Sequence, residues 1–367
     1  MVTRRQFMVT ATATSGALPA LQACASPASE ARFDAAARAT WRHTTTPPAD
    51  IPALHRELVR YATLAASSHN TQPWRFHIEP TAISILPDLS RRCPAVDPDE
   101  HHLFVSLGCA TENLVQAALA NGYASVVEID PVSGAVRVAL TPAPVVRTAS
   151  FEAIPDRQNT RGEFDHKPLA SNELTLLARA GTSDGIRVLM LTDRAAMERV
   201  LEHVTQANTA QMNDSAFVHE LKSWVRYNRD DAVRTGDGLY SGAVGSPSVP
   251  AWLGPMLFDI FSRPASENDK YAAQVRSSAG IAVFVSDADD RAHWVNVGRA
   301  YQRFALQCTA LGVRLAMLNQ PVEVTSLRAA FATSLGLNGQ RPDLVVRFGR
   351  GPRMPPSLRR AMSSVLV

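Results

Sequence analysis

The chain has 367 residues, a formal charge of +3, 46% apolar residues and 19% charged ones. That length accommodates one large or two medium domains with a real core, and the composition is that of a globular chain, not a disordered one. The small charge and the lack of a Lys/Arg run with interleaved aromatics exclude nucleic acid as an expected partner; no apolar stretch in the sequence reaches the ~18 residues expected of a spanning helix.

In chain order, Thr3-Arg4-Arg5-Gln6-Phe7-Met8 and the mildly apolar stretch after it resemble a twin-arginine export leader. Leu21-Gln22-Ala23-Cys24 resembles a lipobox, which would place a lipid on Cys24; Gln22 is unusual there, and cleavage without lipidation stands equally open. The expected location is the periplasm or the outer side of the cytoplasmic membrane. Cys93, Cys109 and Cys308 have no close spacing, so neither a disulfide framework nor a metal site is expected.

Residues 25–50 lack periodicity and read as a linker. A helix is expected from Leu54 to Leu64, strands over Trp74–Ile78 and Ala82–Pro87, and a long helix from Leu103 to Ala120 stopping at Gly122. Strands follow at Val126–Ile129 and Ala135–Leu140 around a Ser133-Gly134 turn. Gly108, Ala110, Ala120 and Gly122 recur as Gly298, Ala300, Ala310 and Gly312, which points to an internal duplication. The halves are expected at 51–150 and 151–367, after a leader at 1–24, with an insertion at about 203–269 in the second.

Between the first helix and the first strand stands Ser67-Ser68-His69-Asn70-Thr71-Gln72-Pro73-Trp74, a loop rich in donors and acceptors beside a flat aromatic. Its counterpart in the second half, from Ala180 to Ile186, does not repeat this octet, so one site per chain is expected. Arg157-Gln158-Asn159-Thr160-Arg161 opens the second half. Two arginines four apart can share one face of a helical turn, where their guanidinium forks suit phosphate oxygens.

The loop and the Arg-x-Asn-x-Arg-x-x-Phe pattern of residues 157–164 resemble the flavin-contacting signatures of the nitroreductase family. The resemblance spans most of residues 51–360. The duplicated chain with a long second-half insertion is similar to the Acg-like branch of that family, in which the insertion acts as a lid. It implies an α+β nitroreductase-like fold, duplicated in one chain, with central helices and mixed or antiparallel sheets. It implies FMN as cofactor, with Ser67, Ser68, His69, Asn70 and Gln72 at the ring edge and Arg157, Asn159 and Arg161 at the phosphate. Leu318 and Asn319 would pass the ring, and Arg350 would lie near the phosphate. Hydride transfer through a flavin needs no protein acid or base, so no catalytic residue is expected. A small-molecule electron donor and a nitroaromatic or quinone acceptor would be the partners, used in ping-pong order by a monomer or homodimer. The alternative is a flavin-sequestering protein with little turnover.

Overall fold

The computed structural model describes residues 26–337 and 339–367. The Arg4-Arg5 motif and Cys24 lie outside the described residues. Ser26 caps the first helix, α1 (Pro27–Thr40), by accepting from the Ser29 amide, and Pro27 pre-sets its first turn. The linker expected over 25–50 is therefore largely helical. Weak amphipathicity hid this helix; one large side chain docks it, the buried Phe33, whose ring centroid lies 4.9 Å from that of Tyr240.

Next come α2 (Ile51–Thr63), β1 (Trp74–Glu79), β2 (Ala82–Pro87), α3 (His101–Ala120), β3 (Tyr123–Ile129) and β4 (Val136–Pro142). The four strands form an antiparallel sheet in the order β1-β2-β4-β3. The second half runs α4 (Ser171–Gly181), β5 (Ile186–Leu191), α5 (Arg194–Asn213), α6 (Ser215–Trp224), α7 (Arg229–Thr235), α8 (Gly254–Phe261) and α9 (Pro264–Arg276). It continues with β6 (Gly280–Ser286), α10 (Arg291–Ala310), β7 (Arg314–Met317) and β8 (Pro342–Gly349). Its sheet is again antiparallel, in the order β5-β6-β8-β7. The class is thus α+β, and the two sheets share one strand order and one connectivity. In each, a 20-residue helix joins the second strand to the third.

Those two helices, α3 and α10, cross at the centre of the molecule. A Cβ on Gly108 would stand 1.9 Å from the Val295 carbonyl oxygen, and one on Gly298 would stand 1.9 Å from that of Val105. Only glycine permits this approach. Gln302 Nε2 donates to Asn113 Oδ1 at 2.8 Å across the same seam. Contrary to the expectation that no stretch is long enough to span, α3 could cross a bilayer by length and composition, but it is buried in the core.

The chain between β5 and β6 spans 192–279, wider than the expected 203–269, because α5 and α9 pack on the second sheet through Met197, Val200, Val204 and Val275. Beyond them, residues 225–250 reach back to the first half. Asp237 Oδ1 accepts from Arg226 at 2.8 Å and its other oxygen accepts from Arg91. Burial raises the Asp237 carboxyl, but the hydrogen bonds from Arg226 and Arg91 outweigh it and hold the group below its ordinary 3.8. Its contribution is complete above that value and is lost as pH falls below it. Asp237→Ala should cost about 2–4 kcal/mol of local stability by stranding two arginines. Amide hydrogen exchange over 225–250 should then be fast in the variant at neutral pH, and slow in the parent until the medium is acidified.

After β8 the tail returns to the first half and pairs with β1: the Phe76 amide donates to Val365 O at 2.7 Å and the Val367 amide to Phe76 O at 3.0 Å. This return carries Arg359 and Arg360 past the polar loop.

Candidate functional site

The loop between α2 and β1 is held in an unusual backbone. His69, Asn70 and Gln72 have φ of 45°, 53° and 53°, a left-handed region that non-glycine residues enter rarely and at a cost of about 1–3 kcal/mol each. Long-range hydrogen bonds enforce it. Asn70 Nδ2 donates to Gly238 O (3.1 Å) and Leu358 O (3.2 Å), and Asn70 Oδ1 accepts from Arg359 (3.0 Å). Gln72 Nε2 donates to Gly236 O (2.8 Å), and Gln72 Oε1 accepts from the Arg360 amide (2.9 Å). Ser67 Oγ accepts from the Gln72 amide at 3.1 Å.

The loop's open side borders a cavity of about 320 Å³. Ser67, His69 and Asn70 meet Arg157, Asn159 and Arg161 there, so residues about 90 positions apart in sequence share one wall. The arginine segment is extended, not the helical turn expected: a short 3₁₀ turn ends at Asp156, Arg157 is extended, and Asn159 bridges to Leu315. Arg347 fixes its course from below. Fully buried in β8, it donates to Thr160 O (3.1 Å) and Gly162 O (2.7 Å) and stacks 4.2 Å over Phe164. Burial draws this guanidinium down to about 9.

The remaining walls come from Ala37 and Arg38 of α1, from Trp41, from Leu239 to Val244 of the insertion, and from the tail. The lining holds five arginines and no carboxylate. Only Arg353 has an acidic partner, Asp156 at 2.8 Å, among the described residues. Arg157 is buried with one hydrogen bond, to Leu64 O at 3.3 Å, and its Nε has no partner. Burial holds the Arg161 guanidinium below its ordinary value, and among the described residues no side-chain hydrogen bond engages it. Arg359 lies 4.6 Å over Trp41 and donates to the carbonyls of Thr63, Leu64 and Ala65. Burial, then the Arg161 and His102 charges, push His69 down to about 4, so it is neutral at pH 7.

Ser67, His69, Asn70, Arg157, Asn159 and Arg161 therefore converge, while five other expected residues do not line the cavity. Gln72 is fully buried and spent on backbone partners. Ser68 lies outside, its amide donating to Ser106 Oγ at 3.3 Å. Leu318 is core, packed with Val322 and Phe331 beneath the second sheet. Asn319 Oδ1 accepts from the Val345 amide at 2.9 Å and so braces β8. Arg350 pairs with Glu173 at 2.6 Å on the surface. Conversely, Arg359, which resembles an ordinary surface cation in sequence, is buried at the site, and Arg347, the one cation in β8, supports the arginine segment without lining the cavity. Asp97, His101 and His102 place potential metal-ligating atoms within 4.8 Å of one another. Asp97 already accepts from the His102 and Leu103 amides, and His101 Nε2 already pairs with Asp343 at 2.9 Å.

No family model matches the chain. A Mycobacterium tuberculosis H37Rv protein named putative NAD(P)H nitroreductase Rv3131 is 26% identical over 329 residues, covering 85% of this chain and 90% of the relative. A second protein of that strain, named putative NAD(P)H nitroreductase acg, is 24% identical over 326 residues, covering 83% of this chain and 92% of the relative. Among solved structures, the chain is similar to the FMN-dependent nitroreductase NfnB from Mycobacterium smegmatis in complex with NADPH, with TM-score 0.37, 14% identity, and coverage of 59% of this chain and 96% of that one. A Bacteroides fragilis nitroreductase with bound FMN gives TM-score 0.35 and 14% identity, covering 58% of this chain and 93% of that one.

Proposed function

We propose that the chain is an FMN-dependent oxidoreductase of the nitroreductase type, made of two fused halves of one fold with one FMN site between them. The charge of the cavity carries this reading: five arginines, no carboxylate, and a buried Arg157 whose Nε is unpartnered. A buried cation without a counterion is costly, and a phosphate monoester offers the forked acceptors that guanidinium groups match. The names of the curated relatives support the redox chemistry.

When bound, FMN supplies hydride acceptance and donation at its ring. Arg157 and Arg161 would hold the phosphate, Ser67 and Asn159 would add polar contacts, and Trp41, Leu239 and Tyr240 would exclude water. Neutral His69 would offer a hydrogen bond. The volume, about 320 Å³, falls within the range of ligand sites, toward its lower end. A nicotinamide-type donor and a nitroaromatic or quinone acceptor would then use the same cavity in turn, with ping-pong kinetics. The twin-arginine leader would export the folded, loaded protein, and acylation of Cys24 would tether it to the membrane.

The test is flavin content after purification with excess FMN. About one FMN per chain is the expected result, and no retained flavin would overturn the reading. The Asp237 clamp on the insertion favours a second reading, in which the bound flavin is sequestered. Stopped-flow mixing with NADPH separates the two. Rapid reduction of the intact protein sinks sequestration, whereas slow reduction that becomes fast in Asp237→Ala supports it.

A further inference from the structure

Among the described residues, four of the twelve exposed large apolar side chains fall within ten consecutive positions, at Trp252 (78% exposed), Met256 (53%), Ile260 (46%) and Phe261 (67%). Three of them are spaced four apart, so they form one stripe along α8 and the turn before it. No described element covers this stripe. Its concentration in one segment is what distinguishes it from the single exposed leucines and valines elsewhere.

We propose that this stripe docks the protein on a lipid bilayer, with α8 lying in the interface and Trp252 at the headgroup level. A continuous series of contacts joins the start of the described chain to α8. Ser29 Oγ of α1 donates to Asp230 of α7 at 2.8 Å, and Asn228, which caps α7, donates to Val249 O at 3.2 Å. The Val249 amide donates to Tyr227 O at 3.0 Å, and Gly254, which opens α8, lies against the Tyr227 ring. Cys24 of the lipobox-like motif precedes Pro27 by three residues, a reach of at most about 10 Å. A lipid there would set the distance to the membrane, and α8 would set which face meets it. The helix is short, apolar and ends in an aromatic, as an interfacial segment requires. Beside it Lys222 is paired with Asp259, and Arg263 just beyond the helix donates to Ile260 O, so among the described residues there is no basic cluster next to the stripe. Apolar area, not lipid charge, therefore drives the docking. This inference goes beyond the redox reading and does not depend on flavin binding.

The test uses the full chain carrying Cys24→Ser, so that no acyl group contributes, and phosphatidylcholine vesicles containing brominated acyl chains. Bromine quenches only tryptophans that enter the bilayer, and residues 1–25 contain none. The expected result is quenching that Trp252→Phe abolishes, together with a roughly tenfold loss of vesicle pelleting in Trp252→Ser/Phe261→Ser. Pelleting should persist in roughly 0.5 M salt, where surface charge is screened. Absence of quenching overturns the proposal, as does equal pelleting of parent and double variant. So does a concentration-dependent dimer that the double variant disperses without any vesicle binding, because the stripe would then belong to a second copy. Thermal melts of the variants confirm that each is folded.

Discussion

Gly108→Ala should lower stability by at least about 3 kcal/mol, the upper end of what overpacking usually costs. The added methyl would stand 1.9 Å from the Val295 carbonyl oxygen and 2.9 Å from the Arg299 amide nitrogen, both backbone atoms of α10. No side-chain rotation relieves such a contact. The two central helices must separate, and they carry core residues of both halves. For a chain of this size, with an unfolding entropy of about 2.1 cal/mol/K per residue, the loss corresponds to a fall in Tm of roughly 4 °C. Gly298→Ala should behave alike, since its methyl meets Val105 O in the reciprocal way. The double variant should cost less than the sum, because helices parted by one methyl already have room for the other. Gly312→Ala is the control: its φ of 68° carries a local penalty of about 1 kcal/mol, and nothing lies within 4 Å of the added atom. If Gly108→Ala melts with Gly312→Ala, the close crossing is wrong.

The same glycines show what a single sequence exposes. Their recurrence at a constant offset gave a reason to look for two copies, and the shared strand order of the sheets follows from helices and strands whose periodicities were plain. The polar loop and the two arginines were legible because their residue types are unusual for their positions. Other features depend on contacts that no local pattern encodes. Gln72 has the chemistry of a ligand-facing group, yet left-handed backbone turns it toward Gly236, 164 residues away, while Asn70, at the cavity wall, gives its amide to Gly238 and Leu358. Leu318 sits in an apolar run that suits a core or a ring contact equally, and burial decides for the core. Phe33 docks an otherwise weakly patterned helix. Arg347 did carry a signal, a lone cation inside Leu344-Val345-Val346-Arg347-Phe348, whereas Arg359 stands in an irregular tail with none.

Arg157 separates a binding role from a structural one by the sign of its effect. Its guanidinium is buried, holds one 3.3 Å hydrogen bond to Leu64 O, leaves Nε unpartnered and faces no carboxylate. In the ligand-free protein that is an unfavourable arrangement, because desolvation of the charge is not repaid by an ion pair. Arg157→Met keeps much of the side-chain volume and removes the charge. Ligand-free protein should therefore melt at the same temperature or higher. Affinity for FMN should fall by about 2–5 kcal/mol, a rise in Kd of roughly thirtyfold or more, if the guanidinium pairs with the phosphate. Arg161→Ala should weaken FMN in the same range, and the two losses should not add, because both arginines would address one anion. Riboflavin, which lacks the phosphate, should bind both variants as it binds the parent. A ligand-free Arg157→Met protein that is destabilised by about 2 kcal/mol or more but binds FMN normally would reassign Arg157 as a strut for the end of α2. Loss of FMN affinity with undiminished ligand-free stability has no such structural explanation, since a strut cannot be removed without weakening what it supports.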